Sequence, residues 1–89
     1  MTEPLKSGDE LEIVHMSGRR QKVKFAGLYG TKLNIAYITW PSAGQYRVKF
    51  ETGQLMPKRA SLWALTKPSL ERVRATQSHA KDRRKSVNR

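Results

Sequence analysis

Residues 44–53 read GQYRVKFETG, and this stretch decides the fold class of the chain. Its apolar and charged side chains alternate, in the order Tyr46, Arg47, Val48, Lys49, Phe50 and Glu51. Successive side chains of a β-strand point to opposite faces of the sheet, so this alternation is typical of a strand buried on one face. The stretch therefore predicts a half-buried strand that lies between two turn glycines.

The same alternation recurs along the first two thirds of the chain. Turn signals lie at 17–18, 28–30, 41–44 and 51–54, about 10–13 residues apart, which is the spacing of short antiparallel strands. A short fifth strand is predicted at 61–65. The side chains predicted to face the core are Leu11, Ile13, Val23, Phe25, Leu33, Ile35, Tyr37, Tyr46, Val48, Phe50 and Trp63. The pattern predicts a mostly β fold, a small closed barrel of five strands.

The period changes after residue 66. Pro68 suits the first turn of a helix, and Leu70 and Val73 lie on one helical face, so a short helix is predicted at 67–77. Residues 78–89 are mostly charged or polar and are predicted to be a disordered basic tail. The expected organisation is one barrel domain at 1–66, a short helix at 67–77 and a tail at 78–89.

Two stretches carry a resemblance to a known superfamily. Residues 44–53, followed by LWAL at 62–65, resemble the second half of the small SH3-like barrels of the Tudor and KOW type. The opening SGDELEI at 7–13 is similar to their first strand, which often follows a Gly-Asp step. The resemblance covers residues 7–66, and it implies a five-stranded SH3-like barrel that binds RNA, DNA or peptide.

Charge points to the class of partner. The 89 residues include 18 Lys and Arg against 7 Asp and Glu, for a net charge of +11. Such an excess repels itself and favours a polyanionic partner, so we expect the protein to bind nucleic acid. The cations belong to the barrel as well as to the tail, because residues 13–66 carry nine Lys or Arg against one Glu.

The predicted nucleic-acid contacts form a band on the outer strand faces and continue into the C-terminal segment. In the barrel they are Arg19, Arg20, Lys22, Lys24, Lys32, Arg47, Lys49, Lys58 and Arg59. After the barrel they are Arg72, Arg74, Lys81, Arg83, Arg84 and Lys85. Contacts to phosphates supply most of the sequence-independent affinity, so a basic band is expected to follow a nucleic-acid backbone.

Two aromatic residues join this predicted site. Trp40 precedes Pro41 in a predicted turn, and Tyr46 lies just across that turn. Trp40 either contacts a base or closes the open end of the barrel as part of the core, and the sequence leaves both roles open. Double-stranded DNA is slightly favoured, because a broad cationic β-face with few exposed aromatic side chains fits backbone contacts better than stacking on unpaired bases. RNA follows closely, since recognition of A-form RNA also relies on backbone contacts.

Catalysis is not expected. His15 and His79 lie in different segments with no acidic residue spaced to orient either one, and the chain has no cysteine nucleophile. There is no phosphate-binding loop of the Walker type, and the acidic cluster at 9–12 is interpreted as a solvated strand face. We therefore expect neither a metal nor another cofactor.

The N-terminal residues have no apolar stretch of signal-peptide length, and no segment is apolar enough to span a bilayer. These features, with the lack of cysteine, predict a cytoplasmic or nucleoid-associated protein without a membrane partner. Two other functions remain open. One is a protein-interaction adaptor of the Tudor or SH3 type, and the other is a basic subunit of a larger nucleoprotein assembly.

Overall fold

The structure is a computed structural model that describes residues 4–31, 33–56 and 58–87, without the side chains of residues 58 and 82–87. Within these residues the chain is mostly β, with six strands and a C-terminal helix. The strands are β1 (Glu10–His15), β2 (Arg20–Tyr29), β3 (Ile35–Trp40), β4 (Gly44–Val48), β5 (Leu55–Met56) and β6 (Trp63–Leu65). A 3-10 turn at Lys58–Ala60 precedes β6, and helix α1 spans Lys67–Val87.

The described strands form one antiparallel sheet in the order β5-β4-β3-β2-β1-β6. Its two ends approach each other, because Gln54 is bridged to Ala64 and Leu65 N donates to Gly53 O at 2.8 Å. The sheet is therefore a nearly closed, barrel-like structure. The prediction of five strands is wrong by one: β5 has only two residues, and a strand that short shows no alternation.

The inner faces of β1, β2 and β4 agree with the prediction. The predicted residues on these strands are all buried, namely Leu11, Ile13, Val23, Phe25, Tyr46 and Val48. Phe50 and Trp63 are half-buried and pack against this core. Alternation was informative here because the charged residues of each of these strands lie on one face only.

The inner face of β3 differs from the prediction. Ala36 and Ile38 are fully buried, whereas Leu33, Ile35 and Tyr37 are only half-buried. Segment 33–40 reads LNIAYITW and has apolar side chains on both faces, so alternation alone selects neither. Strand pairing decides between them, because Ile38 lies opposite inward-facing residues of both neighbouring strands.

Two glycines make tight turns that the sheet needs. Gly18 has φ 97°, and its N–H donates to His15 O at 2.8 Å, which closes the predicted turn between β1 and β2. Gly53 has φ 77°, and a Cβ at this position would lie 3.2 Å from Leu70 Cδ2. The turn before β5 therefore packs directly beneath α1.

Helix α1 is part of the core. Leu70 and Val73 are buried, as predicted, with exposures of 8% and 0%. Two polar side chains of the helix also dock it: Ser69 Oγ accepts from Glu12 N at 3.0 Å, and Thr76 Oγ1 accepts from Leu5 N at 2.8 Å. These two hydrogen bonds hold the helix and the N-terminal segment on the same side of the sheet.

The helix is longer than predicted. It extends to Val87, past the expected end near Gln77, and residues 78–87, which were expected to be disordered, are helical. This segment contains no Gly or Pro, and it includes Ala80, Lys81 and further Lys and Arg residues, which have high helix propensity.

Candidate nucleic-acid interface

The outer face of β1 and β2 carries charges of both signs. Arg20 Nη1 lies 3.0 Å from Glu12 Oε1, and Lys22 Nζ lies 3.4 Å from Glu10 Oε1. These pairs form because β1 and β2 are neighbours, with Glu12 directly opposite Lys22. The acidic residues of β1 therefore offset the charge of two predicted nucleic-acid contacts, Arg20 and Lys22.

From Lys24 on β2 to the end of β4, the charged side chains of the outer face are cations, and the nearest strand with acidic residues is β1, whose Glu10 lies opposite Lys24. Lys24, Arg47 and Lys49 are exposed, and none of them has an ion pair within the described part of the chain. Lys24 lies opposite Thr39, and Arg47 lies opposite Tyr37, so β3 separates the two cations. Because neighbouring strands are about 4.8 Å apart, the backbones of β2 and β4 are separated by about 10 Å. We call Lys24, Arg47 and Lys49 the cationic face.

The predicted band is thus divided rather than continuous. Its cations near β1 are paired with carboxylates, and Arg19 leaves the outer face to lie at the end of the barrel. Arg59 and Lys81 are exposed. Lys32 lies outside the described residues, and the described side chains do not include those of Lys58, Arg83, Arg84 and Lys85.

Aromatic rings close one end of the barrel. The ring of Trp63 lies 4.9 Å from that of His15 and 5.0 Å from that of Trp40, and Trp40 lies 5.9 Å from Tyr46. Tyr46 is buried in the core with 9% exposure, so little of its side chain is accessible for the nucleic-acid contact that the sequence predicts. Its side chain points inward because it lies opposite Ile38. Trp40 is half-buried and packs against the core.

Two residues of the hairpin between β1 and β2, Arg19 and Ser17, contact rings of this aromatic end. The guanidinium carbon of Arg19 lies 5.9 Å from the centre of the Trp63 ring, a cation–π distance. The Nδ1 atom of His15 accepts from Ser17 N at 3.0 Å, and it lies 2.9 Å from Ser17 Oγ. The hairpin between β1 and β2 is therefore braced by its own side chains, which hold Arg19 beside the aromatic rings.

Two of the predicted contacts on α1, Arg72 and Arg74, have structural partners. Arg72 Nη1 donates to Glu10 O at 3.0 Å. Arg74 donates through Nη2 to Phe50 O at 2.6 Å and to Glu51 O at 3.1 Å. These bonds join α1 to β1 and to the turn before β5. No local pattern predicts them, because the partners are carbonyl groups more than twenty positions away along the chain.

Sequence reasoning missed an apolar surface beside the aromatic end. Met16 is 80% exposed and Leu62 is 51% exposed, and Met16 N donates to Leu62 O at 3.0 Å. Val14 and Ala64 are the next pair on the same face of β1 and β6, and these four residues line a groove of about 350 Å³ together with His15, Thr52, Gln54 and Ser61. We call Met16 and Leu62 the apolar tip. Its signal in the sequence is a methionine inside a turn that is otherwise polar.

The chain matches no family model, no curated protein and no solved structure. The geometry described above therefore carries the functional argument by itself. Within residues 4–31, 33–56 and 58–87, no group of three acidic or histidine side chains is placed to hold a metal ion. In the same part of the chain, no helix has both the length and the apolar character needed to cross a bilayer.

Proposed function

We propose that the protein is a non-catalytic nucleic-acid-binding protein, and that it contacts the phosphate backbone through the cationic face and the C-terminal segment. Double-stranded DNA is the favoured partner over RNA. The proposed place of action is the cytoplasm or the nucleoid. We also propose that the barrel is SH3-like, on the strength of its strand pattern and its nearly closed sheet.

The observation that carries the proposal is the separation of charge on the outer surface of the sheet. Glu10 and Glu12 are confined to β1, where they pair with Arg20 and Lys22. Lys24, Arg47 and Lys49 are left exposed without a described carboxylate partner. Exposed cations in a single region repel each other, and the phosphates of a nucleic acid offset that repulsion.

The preference for duplex DNA over single-stranded partners rests on the aromatic residues. Trp40 and Trp63 are half-buried and lie edge to face against each other, so their rings are largely occupied by other rings. Tyr29 is the one described aromatic residue with more than half of its surface exposed. Proteins that bind unpaired bases use exposed aromatic platforms, whereas duplex binding depends mainly on backbone contacts.

The salt dependence of binding tests the cationic face. Each phosphate contact on duplex DNA contributes about 0.9 to the slope of log affinity against log salt concentration. The K24Q/K49Q double variant is therefore expected to reduce that slope by about 1.8 and to weaken binding to every duplex sequence alike. Fluorescence anisotropy with a labelled duplex, measured over a series of salt concentrations, gives both quantities.

The matched control is K6Q/K67Q, which removes two exposed lysines that belong neither to the cationic face nor to the predicted contacts. Both variants lower the net charge by the same amount, so a general effect of charge would reduce the two slopes equally. An equal reduction, or an unchanged slope in K24Q/K49Q, would show that the cationic face does not contact the phosphates. Affinity that barely changes with salt in the unmodified protein would favour a protein-interaction adaptor instead.

A further inference from the structure

The two side chains of the apolar tip are exposed, whereas other apolar side chains of the protein pack inside the barrel. Met16 lies in the turn after β1, and its backbone is fixed by the hydrogen bond to Leu62 O. His15 and Trp63 lie directly opposite each other and point inward. Met16 and Leu62 are the residues just beyond this pair, so their side chains project together from one outer surface. Two apolar side chains thus stand side by side, Met16 on the braced hairpin and Leu62 in the turn before β6.

The sequence around each residue of the tip is poor in acidic residues. The chain has no Asp or Glu between Glu12 and Glu51, nor between Glu51 and Glu71, and both residues of the tip lie within these stretches. Arg19 follows Met16 by three positions and has no ion pair within the described residues. An apolar projection beside an unpaired cation is complementary to a partner that combines negative charge with flat apolar surface.

We propose that the apolar tip is a wedge that inserts at a base-pair step of duplex DNA, with Arg19 beside it on the DNA. This inference rests on the proposed function and adds a bending activity to it. Apolar side chains that enter the minor groove unstack one base step and bend the duplex, while neighbouring cations hold the backbone. A second copy of the chain is a poor occupant of the tip, because each copy has a net charge of +11.

The sequence of the DNA should then affect binding in a defined way. A wedge must unstack a base step, and this costs less at a flexible pyrimidine–purine step such as TA than within a stiff A-tract. We expect the protein to bind a duplex with a central TA step about tenfold more tightly than a duplex of equal length with a central A-tract. Energy transfer between dyes at the two ends should report bending of the TA duplex.

Substitutions at Met16 isolate the wedge from the phosphate contacts. Met16→Gln keeps the length of the side chain but makes it polar, and Met16→Leu keeps it apolar. We expect M16Q to lose both the preference for the TA duplex and the bend, and M16L to keep them. The matched control is Tyr29→Ala, which removes a residue of 51% exposure at the far end of β2 and should change neither.

The outcomes separate the wedge from the proposed function. If the unmodified protein binds both duplexes equally without bending, and M16Q binds in the same way, the wedge is wrong and nucleic-acid binding stands. Equal weakening of M16Q on both duplexes, with no change in bending, would make Met16 a surface contact and also overturn the wedge. Failure of the unmodified protein to bind either duplex at low salt would overturn both proposals, and the apolar tip would then be left as a surface for a protein partner.

Discussion

A chain that ends at Thr66 is expected to lose its cooperative thermal unfolding, because α1 supplies part of the core. Burial of Leu70 and Val73 contributes about 1.5–3 kcal/mol each, and the hydrogen bonds of Ser69 and Thr76 about 1 kcal/mol each. The loss is therefore about 5–8 kcal/mol, comparable to the whole free energy of unfolding of a domain this small. Circular dichroism recorded during heating measures it.

The matched control is a chain that ends at Ala80. It retains the buried residues Leu70, Val73 and Thr76, together with the bond from Gln77 Nε2 to Leu33 O at 3.0 Å. This chain is expected to melt close to the midpoint of the full-length protein, while its salt slope on duplex DNA falls because the cations of 81–89 are gone. A cooperative melt of the chain ending at Thr66, at an unchanged midpoint, would show that α1 is not needed for folding.

Trp40→Ala is expected to destabilise the protein by about 3 kcal/mol, near the lower end of the cost of removing a buried Trp, because the ring is half-buried. The substitution leaves a cavity beside Tyr46 and Trp63, and it removes two ring contacts. For a domain of this size, such a loss lowers the thermal midpoint by about 12–24 °C. Differential scanning calorimetry measures both the midpoint and the enthalpy.

The affinity of the folded fraction decides between the two roles of Trp40 that the sequence left open. A lowered midpoint with unchanged affinity for duplex DNA assigns Trp40 to the core. An unchanged midpoint with affinity reduced by about 1–3 kcal/mol would make it a stacking residue. Tyr29→Ala is the control for aromatic removal as such, since Tyr29 is exposed and keeps only an edge contact with Tyr37 at 5.0 Å.

Alternation predicted the inner faces wherever one face of a strand is polar. It identified Val23 and Phe25 because they alternate with Lys22 and Lys24, and Leu11 and Ile13 because they alternate with Glu10 and Glu12. It failed on β3, where both faces are apolar. It also had nothing to say about β5, whose two residues form a strand only because β4 lies beside them.

The positive charge of the candidate site could be predicted from the sequence, but the arrangement of its cations on the sheet could not. The excess of Lys and Arg between residues 13 and 66 is visible in the sequence, and so is the acidic stretch that precedes it. Which cations are offset depends on strand pairing, and the pairing of β1 with β2 brings Glu10 to Lys22 and Glu12 to Arg20. Lys24 lies directly opposite Glu10 on β1, but the Glu10 carboxylate pairs with Lys22, and the neighbours of Lys24 and Arg47 on β3 are uncharged.

The sequence by itself determined the class of the fold, the turns at 17–18, 41–44 and 51–54 and the excess of basic residues, whereas the turn predicted at 28–30 lies later because β2 continues to Tyr29. These properties follow from local causes: the period of side chains along a strand, the backbone freedom of glycine and the count of charges. Only the tertiary structure decided that Tyr46 is buried, that Arg72 and Arg74 dock α1, and that Met16 stands beside Leu62. Those outcomes depend on contacts between residues far apart in the chain, and a local pattern holds no information about such partners.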